Sequence, residues 1–395
     1  MCSTLAVWAI TFGLAPHVVA DGAVPKQWYL DAMHASEMWK VSTGEGIKVA
    51  VVDSGVNPDT PSLRGQVLSQ DVPTSAAYGA TKDYNGHGTT MAELIAGTGR
   101  GGGLEGLAPG AKIIPVRVAL SQLKDAAELK LTLSVSAGIR AAADTDAKII
   151  NMSFGGSDME PDVENAVRYA ESKGKLLFAA TGNGGGSKGD FLEFPAAYPG
   201  VVSVAAADES GTVAKFSQSG DYVDLASPGL KIPAWCDATF QEYCKGEGTS
   251  QASAIASASA ALIWSAHPSW TANQVLRVMI ETASRTWDKN TTNKFLGHGL
   301  IRPRLVLEQR DINPGPPDVD PLSGDSVAGG AAASGRPGSG AAKGPAPQDP
   351  APKAAADAKP VGGSGQLWGA VGIGAGVLVI GGGALAVLRA RRRRT

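Results

Sequence analysis

The sequence predicts an α/β protein with a mostly parallel central sheet and helices on both faces, followed by a C-terminal transmembrane helix. Short apolar runs rich in β-branched residues alternate with segments of helical pattern between residues 47 and 266. These runs are apolar throughout, as is typical of strands buried on both faces of a parallel sheet. An uncharged stretch of 22 residues, 367–388, is long enough to cross a bilayer.

The predicted elements follow one another along the chain. Strands are expected at residues 47–52, 112–118, 148–152, 176–180 and 201–206. Helices are expected at residues 87–97, 123–143, 161–172 and 250–266. The helix at 161–172 has a proline at its first position, where a missing N–H is harmless. The helix at 250–266 consists mostly of small residues, so we expect it to be closely packed.

The N-terminal region divides into two segments. Residues 1–20 are typical of a signal peptide, because residues 4–15 are mostly apolar and small residues precede Asp21. The alternative is a short buried N-terminal helix. Residues 21–46 form a lead-in to the main domain, which we place at residues 47–310. Its apolar side chains are expected to pack on that domain: Trp28, Leu30, Met33, Met38 and Trp39.

The composition changes after residue 310. Residues 311–366 are dominated by Pro, Gly, Ala and Ser, which cannot bury enough apolar surface to order themselves, so we expect a disordered linker. The predicted membrane span at 367–388 follows, and then a basic tail at 389–395. That order predicts a cytoplasmic C-terminus and an extracytoplasmic main domain in a single-pass membrane protein.

Net charge argues against a nucleic-acid partner. Five arginines lie in the last seven residues; without them, 30 basic side chains face 37 acidic ones, a charge of −7. The arginine run alone would suggest nucleic-acid binding, but directly after an apolar span it is better interpreted as a topology signal.

Two cysteines remain once the predicted signal peptide and its Cys2 are removed. Cys236 and Cys244 are close in sequence and lie in the exported part of the chain, which suggests a disulfide. The alternative is a pair of buried free thiols.

Three polar residues have contexts that together indicate nucleophilic catalysis. Asp53 ends the first predicted strand, His87 lies at a turn that opens a helix, and Ser250 opens the small-residue helix. Each alone is compatible with a cap or a turn. Together they supply a nucleophile, a base that takes its proton, and a carboxylate that orients the base. The order Asp, His, Ser is one of the known orders of such triads.

Asn183 is the candidate fourth member of this site. The tetrahedral intermediate of acyl transfer carries an oxyanion that needs preorganised donors. Asn183 follows a buried strand, and the backbone N–H of Ser250 at a helix start is a natural second donor. The alternative is a turn asparagine at positive φ.

The sequence around these residues resembles the subtilase family. The segments that carry the resemblance are Val-Ala-Val-Val-Asp53-Ser-Gly-Val, Gly-His87-Gly-Thr-Thr-Met-Ala, Asn151-Met-Ser153-Phe154-Gly155-Gly, Ala-Ala-Thr-Gly182-Asn183 and Gly-Thr-Ser250-Gln-Ala-Ser. The resemblance spans roughly residues 28–308. It implies a subtilisin-like fold and a serine endopeptidase that acts on exported protein or peptide substrates without a cofactor. It also implies substrate-binding roles for Ser153, Phe154, Gly155 and Gly182.

Within the subtilases, the layout is similar to that of the mycosins of type VII secretion systems, which implies secretion membrane components as partners. The lead-in is too short for an independently folded inhibitory prodomain. Glu93, Gln251 and Ala254 depart from the subtilase pattern, and the last two are expected to loosen the start of the Ser250 helix. No calcium-loop signature is visible, so no metal is expected.

Two other functions are alternatives to an enzyme. One is a structural subunit that braces a secretion complex, with proteolysis dispensable. A nucleotide-binding α/β protein is disfavoured, because the glycines at 99–103 form no Gly-x-Gly-x-x-Gly turn after the first strand.

Overall fold

The computed structural model describes residues 26–185, 191–309 and 311–326. The chain divides into two units, 1–356 and 357–395, and the second lies wholly outside the described residues. The predicted signal peptide, the membrane span at 367–388, the basic tail and most of the predicted linker also lie outside them. Within the described part of the chain, no helix has both the length and the apolar character needed to cross a membrane.

Six parallel strands form the central sheet, in the order β2-β1-β3-β4-β5-β6. They are β1 (Lys48–Asp53), β2 (Lys112–Arg117), β3 (Ile149–Met152), β4 (Leu176–Ala180), β5 (Val201–Ala207) and β6 (Leu225–Pro228). Apart from Lys48 and Lys112, every residue in them is buried. The first five match the predicted strands to within one residue at each end. We did not predict β6, which spans only four residues. A separate antiparallel hairpin consists of β7 (Ile232–Trp235) and β8 (Tyr243–Gly246).

Helices cover both faces of this sheet, as predicted. The α-helices in the described residues are α1 (Trp28–Ala32), α2 (Ala35–Met38), α3 (His87–Ala96), α4 (Ala126–Leu131), α5 (Val135–Ala143), α6 (Pro161–Ser172), α7 (Thr249–Ala266), α8 (Ala272–Thr282) and α9 (Pro303–Glu308). Short 3-10 turns occupy Ser69–Asp71, Thr74–Ala76 and Arg100–Gly102. Alternate residues of β1 belong to different cores: Val49 and Val51 pack with α3 and α7, whereas Ala50 and Val52 pack with α5 and α6.

The predicted single helix at 123–143 is wrong, because the chain forms two helices there. The break lies at Thr132–Ser134, where the backbone is extended at Thr132. Leu133 forms a bridge with Val118, and its carbonyl accepts a hydrogen bond from the Ala119 N–H at 2.8 Å. Ser134 then caps α5 by accepting from the Ala137 N–H. A tertiary backbone contact therefore overrides the local helical pattern.

The lead-in packs on the main domain, as predicted. Trp28 and Met38 are buried, and the Trp28 indole N–H donates to the Leu230 carbonyl at 2.8 Å. The Gln27 side chain donates to the Glu105 carbonyl at 2.7 Å and accepts from the Glu105 N–H at 2.9 Å. The Gln27 amide thus satisfies both backbone groups of Glu105 and holds the beginning of the described chain in place.

Candidate active site

Three predicted site residues lie where neighbouring parallel strands end. Asp53 is the last residue of β1, Ser153 follows β3, and Asn183 lies three residues beyond β4. The sheet places β1, β3 and β4 side by side. Because the carboxyl ends of parallel strands share one edge of the sheet, these residues lie at the same end of the fold, where α/β proteins place their sites.

His87 and Asp53 are joined by a hydrogen bond of 2.8 Å between Nδ1 and Oδ1. Asp53 is fully buried, and its Oδ1 also accepts from the Ser54 N–H at 2.7 Å. Because Asp53 can only accept in this bond, a neutral His87 ring carries its proton on Nδ1. Nε2 is then unprotonated and keeps its lone pair. In the described part of the chain Nε2 has no hydrogen-bond partner, and the His87 side chain is 32% exposed at the cleft.

The pKa of His87 reflects two opposing effects. Burial lowers the pKa, while the charge of the Asp53 carboxylate and its hydrogen bond raise it. The carboxylate, assisted by the charge of Asp83, outweighs burial, and the net pKa is raised above the ordinary value of 6.5. An imidazole beside a buried carboxylate is thereby made a stronger base.

Ser250 lies at the start of α7 and exchanges hydrogen bonds with Ser153. The Ser250 hydroxyl donates to the Ser153 carbonyl at 2.7 Å, and the Ser153 hydroxyl donates to the Ser250 carbonyl at 2.8 Å. No hydrogen bond joins Ser250 to His87 in this structure, although both side chains line the same cleft. The helix is continuous from Thr249 to Ala266, and Ala254 is fully buried within it, so the expected loosening of the helix start is not observed.

A buried amide connects β3 to α7. Asn151 is fully buried; its Nδ2 donates to the Ser153 hydroxyl at 2.9 Å. Its Oδ1 accepts from the hydroxyls of Ser253 and Ser257, both at 3.1 Å. The two serines are four residues apart and therefore share one face of the helix. Every hydrogen-bonding group of this network is buried and paired, so it holds the Ser250 helix against the strand.

Asn183 is held from behind by Thr249. Its Oδ1 accepts from the Thr249 N–H and hydroxyl, both at 3.0 Å. Nδ2 has no partner among the described residues, and Asn183 lines the cleft with Ser250. The backbone of Asn183 is not in the left-handed region; the adjacent Gly182 takes the positive φ of 101°. The alternative of a turn asparagine at positive φ is therefore wrong.

The comparisons with known proteins agree with this geometry. Residues 44–299 match the model of the subtilase family, Peptidase_S8. The chain belongs to the subtilase family. The minor extracellular protease Epr of Bacillus subtilis (strain 168) is 36% identical over 281 residues, which cover 70% of this chain and 41% of Epr.

Two solved mycosin structures resemble this subtilase. MycP3, a protease from the type VII (ESX-3) secretion system, superimposes with a TM-score of 0.59 at 27% identity over 75% of this chain and 90% of MycP3. MycP1, described as an essential component of the type VII (ESX-1) secretion system, gives a TM-score of 0.61 at 26% identity over 73% of this chain and 90% of MycP1. The resemblance to subtilases and mycosins is confirmed, and the subtilase is a serine peptidase by family.

The residues predicted to bind substrate all line one cleft. Ser153, Phe154, Gly155 and Gly182 lie along it together with His87, Asn183 and Ser250. Gly155 and Gly182 belong to the two segments that follow β3 and β4. The subtilase thus has an open groove, lined by Ser250 among others, which can hold an extended peptide.

A disulfide-closed hairpin forms the wall beside His87. Cys236 and Cys244 form the predicted disulfide. Trp235 of β7 lines a recess together with His87, and its backbone N–H donates to the Thr90 hydroxyl at 3.0 Å. Trp235 also stacks on Tyr243 of β8, with 3.8 Å between ring centroids. The hairpin is therefore attached directly to the helix that carries the histidine.

The Tyr243 hydroxyl reaches Glu93, one of the residues that depart from the subtilase pattern. It donates to Glu93 Oε2 at 2.8 Å, while Oε1 accepts from the hydroxyls of Thr60 and Ser62, both at 2.7 Å. Glu93 is fully buried. Burial raises its pKa to about 7, against the opposing effect of these hydrogen bonds. This acid therefore belongs to the support of the hairpin.

Sequence reasoning missed Asp83, which organises the turn before α3. Its Oδ1 accepts from the Ser54 hydroxyl at 2.8 Å and the Gly86 N–H at 2.9 Å, and its Oδ2 accepts from the Thr89 N–H at 2.9 Å. Asp83 lies three residues before the N-cap Gly86, outside the position where a capping residue is expected, so the local sequence does not single it out. No group of three or more potential metal-binding His, Cys, Asp or Glu side chains occurs within the described residues.

Proposed function

We propose that this subtilase is a membrane-anchored extracytoplasmic endopeptidase that cleaves exported proteins through an acyl-enzyme. The observation that carries the proposal is the 2.8 Å bond between His87 and the buried Asp53, in the cleft that also contains Ser250. A neutral imidazole oriented by a buried carboxylate is what a serine hydroxyl requires in order to lose its proton at neutral pH.

Acylation begins with a change of partner by the nucleophile. The Ser250 hydroxyl leaves the Ser153 carbonyl, rotates toward Nε2 of His87 and attacks the scissile carbonyl carbon as Nε2 takes its proton. Asp53 stabilises the resulting imidazolium. The carbonyl π bond opens, and its electrons pass to the carbonyl oxygen, which becomes an oxyanion. Asn183 Nδ2 and the Ser250 backbone N–H are the proposed donors to that oxygen.

Collapse of the tetrahedral intermediate breaks the peptide C–N bond. The oxyanion electrons re-form the carbonyl, and the imidazolium of His87 gives its proton to the leaving nitrogen, which departs as an amine. Water then repeats the sequence: His87 takes a proton from it, hydroxide adds to the Ser250 ester, and the proton returns to Ser250 Oγ. The new carboxyl end leaves the cleft, and the enzyme is restored.

A fluorophosphonate probe tests this assignment, because it labels only a serine that has been activated as a nucleophile. We expect labelling and peptide hydrolysis by the full-length protein, and loss of both in Ser250→Ala. Ser172→Ala, which removes an exposed hydroxyl at the end of α6, serves as the control and should keep both. Labelling that survives Ser250→Ala would contradict the proposal.

The proposed location rests on the sequence at the two ends. The apolar segment in residues 1–20 supports export, and the uncharged stretch at 367–388 followed by arginines supports a single-pass anchor with a cytoplasmic C-terminus. Protease added to spheroplasts should release a soluble domain by cutting within 311–366. Deletion of residues 367–395 should release active enzyme into the medium. A domain that stays protected until the membrane is broken would contradict this topology.

We also propose an association with a type VII secretion system, supported by the likeness to MycP3 and MycP1. The description of MycP1 as an essential component of its system favours a second candidate, a structural subunit of the membrane complex. Comparing the proteins secreted by wild type, a Ser250→Ala strain and a deletion strain separates the two. Normal secretion in Ser250→Ala together with failure in the deletion would assign the essential role to structure. Uncleaved precursors in Ser250→Ala medium would identify the substrates.

A further inference from the structure

The lining of the cleft, in the part of the chain that the structure describes, includes four acidic side chains and no lysine or arginine. The four acidic side chains along it are Asp158, Glu160, Glu193 and Glu247. Three of them are exposed at the rim, where water screens their charge. Glu193 differs from the others because it is partly buried, so its charge acts more strongly on a group bound in the cleft.

The Glu193 carboxyl group lies between two glycine segments. A Cβ placed on Gly182 would lie 2.4 Å from Glu193 Cγ and 2.8 Å from Cδ. A Cβ placed on Gly155 would lie 2.9 Å from Oε2. The absence of side chains at these two positions therefore leaves the space that the Glu193 side chain occupies. Gly182 directly precedes Asn183, and Gly155 follows Ser153 by two residues, so this gap adjoins the proposed catalytic groups.

The backbone around Glu193 is fixed by hydrogen bonds on both sides. Phe194 and Gly156 exchange two backbone bonds, at 2.8 Å and 3.0 Å, which attach this segment to the chain beyond Gly155. The Glu193 carbonyl accepts from the Ala197 N–H at 2.8 Å. The carboxylate is therefore presented from an ordered backbone, as a specificity-determining group must be.

The Glu193 carboxylate has no hydrogen bond and no ion pair with any residue that the structure describes. Buried Glu93, by contrast, accepts from three hydroxyl groups. Partial burial alone raises the pKa of Glu193 above its ordinary value, because no neighbour compensates for the lost hydration. A partly desolvated carboxylate with no partner is stabilised when a bound cation supplies one.

We infer that Glu193 selects a lysine or arginine residue immediately before the scissile bond, through an ion pair in the gap between Gly155 and Gly182. When a scissile carbonyl is attacked by Ser250, with its oxygen toward Asn183, the side chain of that same residue begins at Cβ, only two bonds from the carbonyl carbon. It is therefore the side chain closest to the two glycine segments. The long apolar stem of lysine or arginine can lie along the glycine backbones while its head reaches Glu193. This inference rests on the proposed function.

Digestion of a proteome-derived peptide library by the full-length protein tests the inference. Cleavage sites are read by mass spectrometry, and Ser250→Ala provides the blank. We expect lysine and arginine to be enriched immediately before the cleaved bond. Glu193→Gln should reduce kcat/KM for such substrates by about ten- to a hundredfold while leaving substrates with a neutral residue there within a few-fold. Glu193→Lys should shift the preference toward acidic residues.

Glu160→Gln is the matched control, because it removes one negative charge from the exposed rim of the same cleft. The basic preference should persist in that variant. An equal loss of the basic preference in Glu160→Gln and Glu193→Gln would assign that preference to the overall negative potential of the cleft. That result would overturn the inference. Cleavage that depends on Ser250 but shows no basic preference would overturn the inference and leave the proposed function standing. Absence of any Ser250-dependent cleavage would overturn both.

Discussion

Ser153 and Ser250 hold each other by two hydrogen bonds that run in opposite directions, each from a hydroxyl to the other residue's carbonyl. The arrangement gives Ser153 two functions at once. Its carbonyl holds the Ser250 hydroxyl in the resting enzyme, and its hydroxyl fixes the backbone from which Ser250 projects. In the proposed mechanism, substrate that engages this segment therefore meets Ser250 and its support together.

Ser153→Ala should destabilise the fold and slow catalysis together. The substitution removes the donor to the part-buried Ser250 carbonyl and the acceptor for the buried Asn151 amide, so we expect the free energy of unfolding to fall by about 1 to 3 kcal/mol. Thermal melts in a Ser250→Ala background avoid self-digestion, and kcat is measured in the active enzyme. Ser172→Ala serves as the exposed control. Unchanged melting and unchanged kcat would show that the reciprocal pair has no energetic role.

The acidic limb of the pH–activity profile should lie above pH 6.5. Burial lowers the pKa of His87, but the Asp53 carboxylate more than offsets this effect, and only the neutral ring can take the serine proton. Activity therefore falls as pH decreases through the raised pKa. In Asp53→Asn that limb should move to lower pH and kcat should fall by about 10⁴-fold. A profile of kcat/KM against pH for both enzymes checks this, and an unmoved limb would exclude His87 as the titrating base.

Asn183→Ala should lower kcat with little change in KM, because a donor to the oxyanion acts mainly in the transition state. The expected loss is about 10²- to 10³-fold, the range established for a side-chain donor of this kind in subtilisin rather than a value calculated from this geometry. Asn183→Asp should be at least as damaging, since a carboxylate repels the oxyanion. A stable Asn183→Ala enzyme with near-normal kcat would remove Asn183 from the site.

Glu93→Gln should increase stability at neutral pH and above. The pKa of Glu93 is raised to about 7 in the folded protein, so the folded state binds a proton more tightly than the unfolded chain does. The stabilisation that comes from protonated Glu93 is fully present below the unfolded pKa of about 4.5 and is lost as pH rises through the folded pKa of about 7. The free energy of unfolding should therefore differ by about 3 kcal/mol between these two limits. The glutamine amide can replace the carboxyl in the Tyr243 contact.

Unfolding free energies measured at pH 4.5 and pH 8 in a Ser250→Ala background isolate this effect. The difference between the Glu93 protein and Glu93→Gln should change between the two pH values, whereas the exposed Glu45→Gln control should show no such change. A pH-independent difference would mean that Glu93 titrates at the same pH in both states.

Reduction of the Cys236–Cys244 disulfide should lower the free energy of unfolding by about 2 to 3 kcal/mol. The reason is that the disulfide closes a short loop and so reduces the conformational entropy of the unfolded chain. Because the hairpin supports Trp235 beside His87, reduction should also make catalysis more sensitive to temperature. Alkylation followed by intact-mass measurement, before and after reduction, checks the pairing. Two free thiols at these positions in the exported protein would contradict it.

The sheet and the residues brought together at the candidate site could be picked out from the sequence because their signals are local. Each parallel strand is a continuous apolar run, and Asp53, His87 and Ser250 each lie in a short, characteristic segment. Helix α6 begins and ends at the predicted residues, because Pro161 marks its start. These features depend on neighbours within a few positions in the chain.

Features set by distant contacts could not be predicted in this way. The break before α5 exists because Leu133 bonds the backbone beyond β2. The position of Glu193 depends on the absence of side chains at Gly155 and Gly182, which are 38 and 11 residues away in sequence. Glu93 could be seen to depart from the subtilase pattern, but its three hydroxyl partners come from other parts of the fold.

The Asn151 amide sets the position of α7 along its own axis. Helix surfaces made of alanine and serine present low ridges, so van der Waals interlocking gives little resistance to sliding. A slide by one turn would move Ser250 by about 5.4 Å, far out of reach of His87. Because Ser253 and Ser257 both bond to the same buried Asn151 oxygen, an axial shift of the helix would break at least one of these bonds inside the core. The Asn151 side chain thus fixes the register of α7 against the sheet, and with it the position of Ser250 along the helix axis.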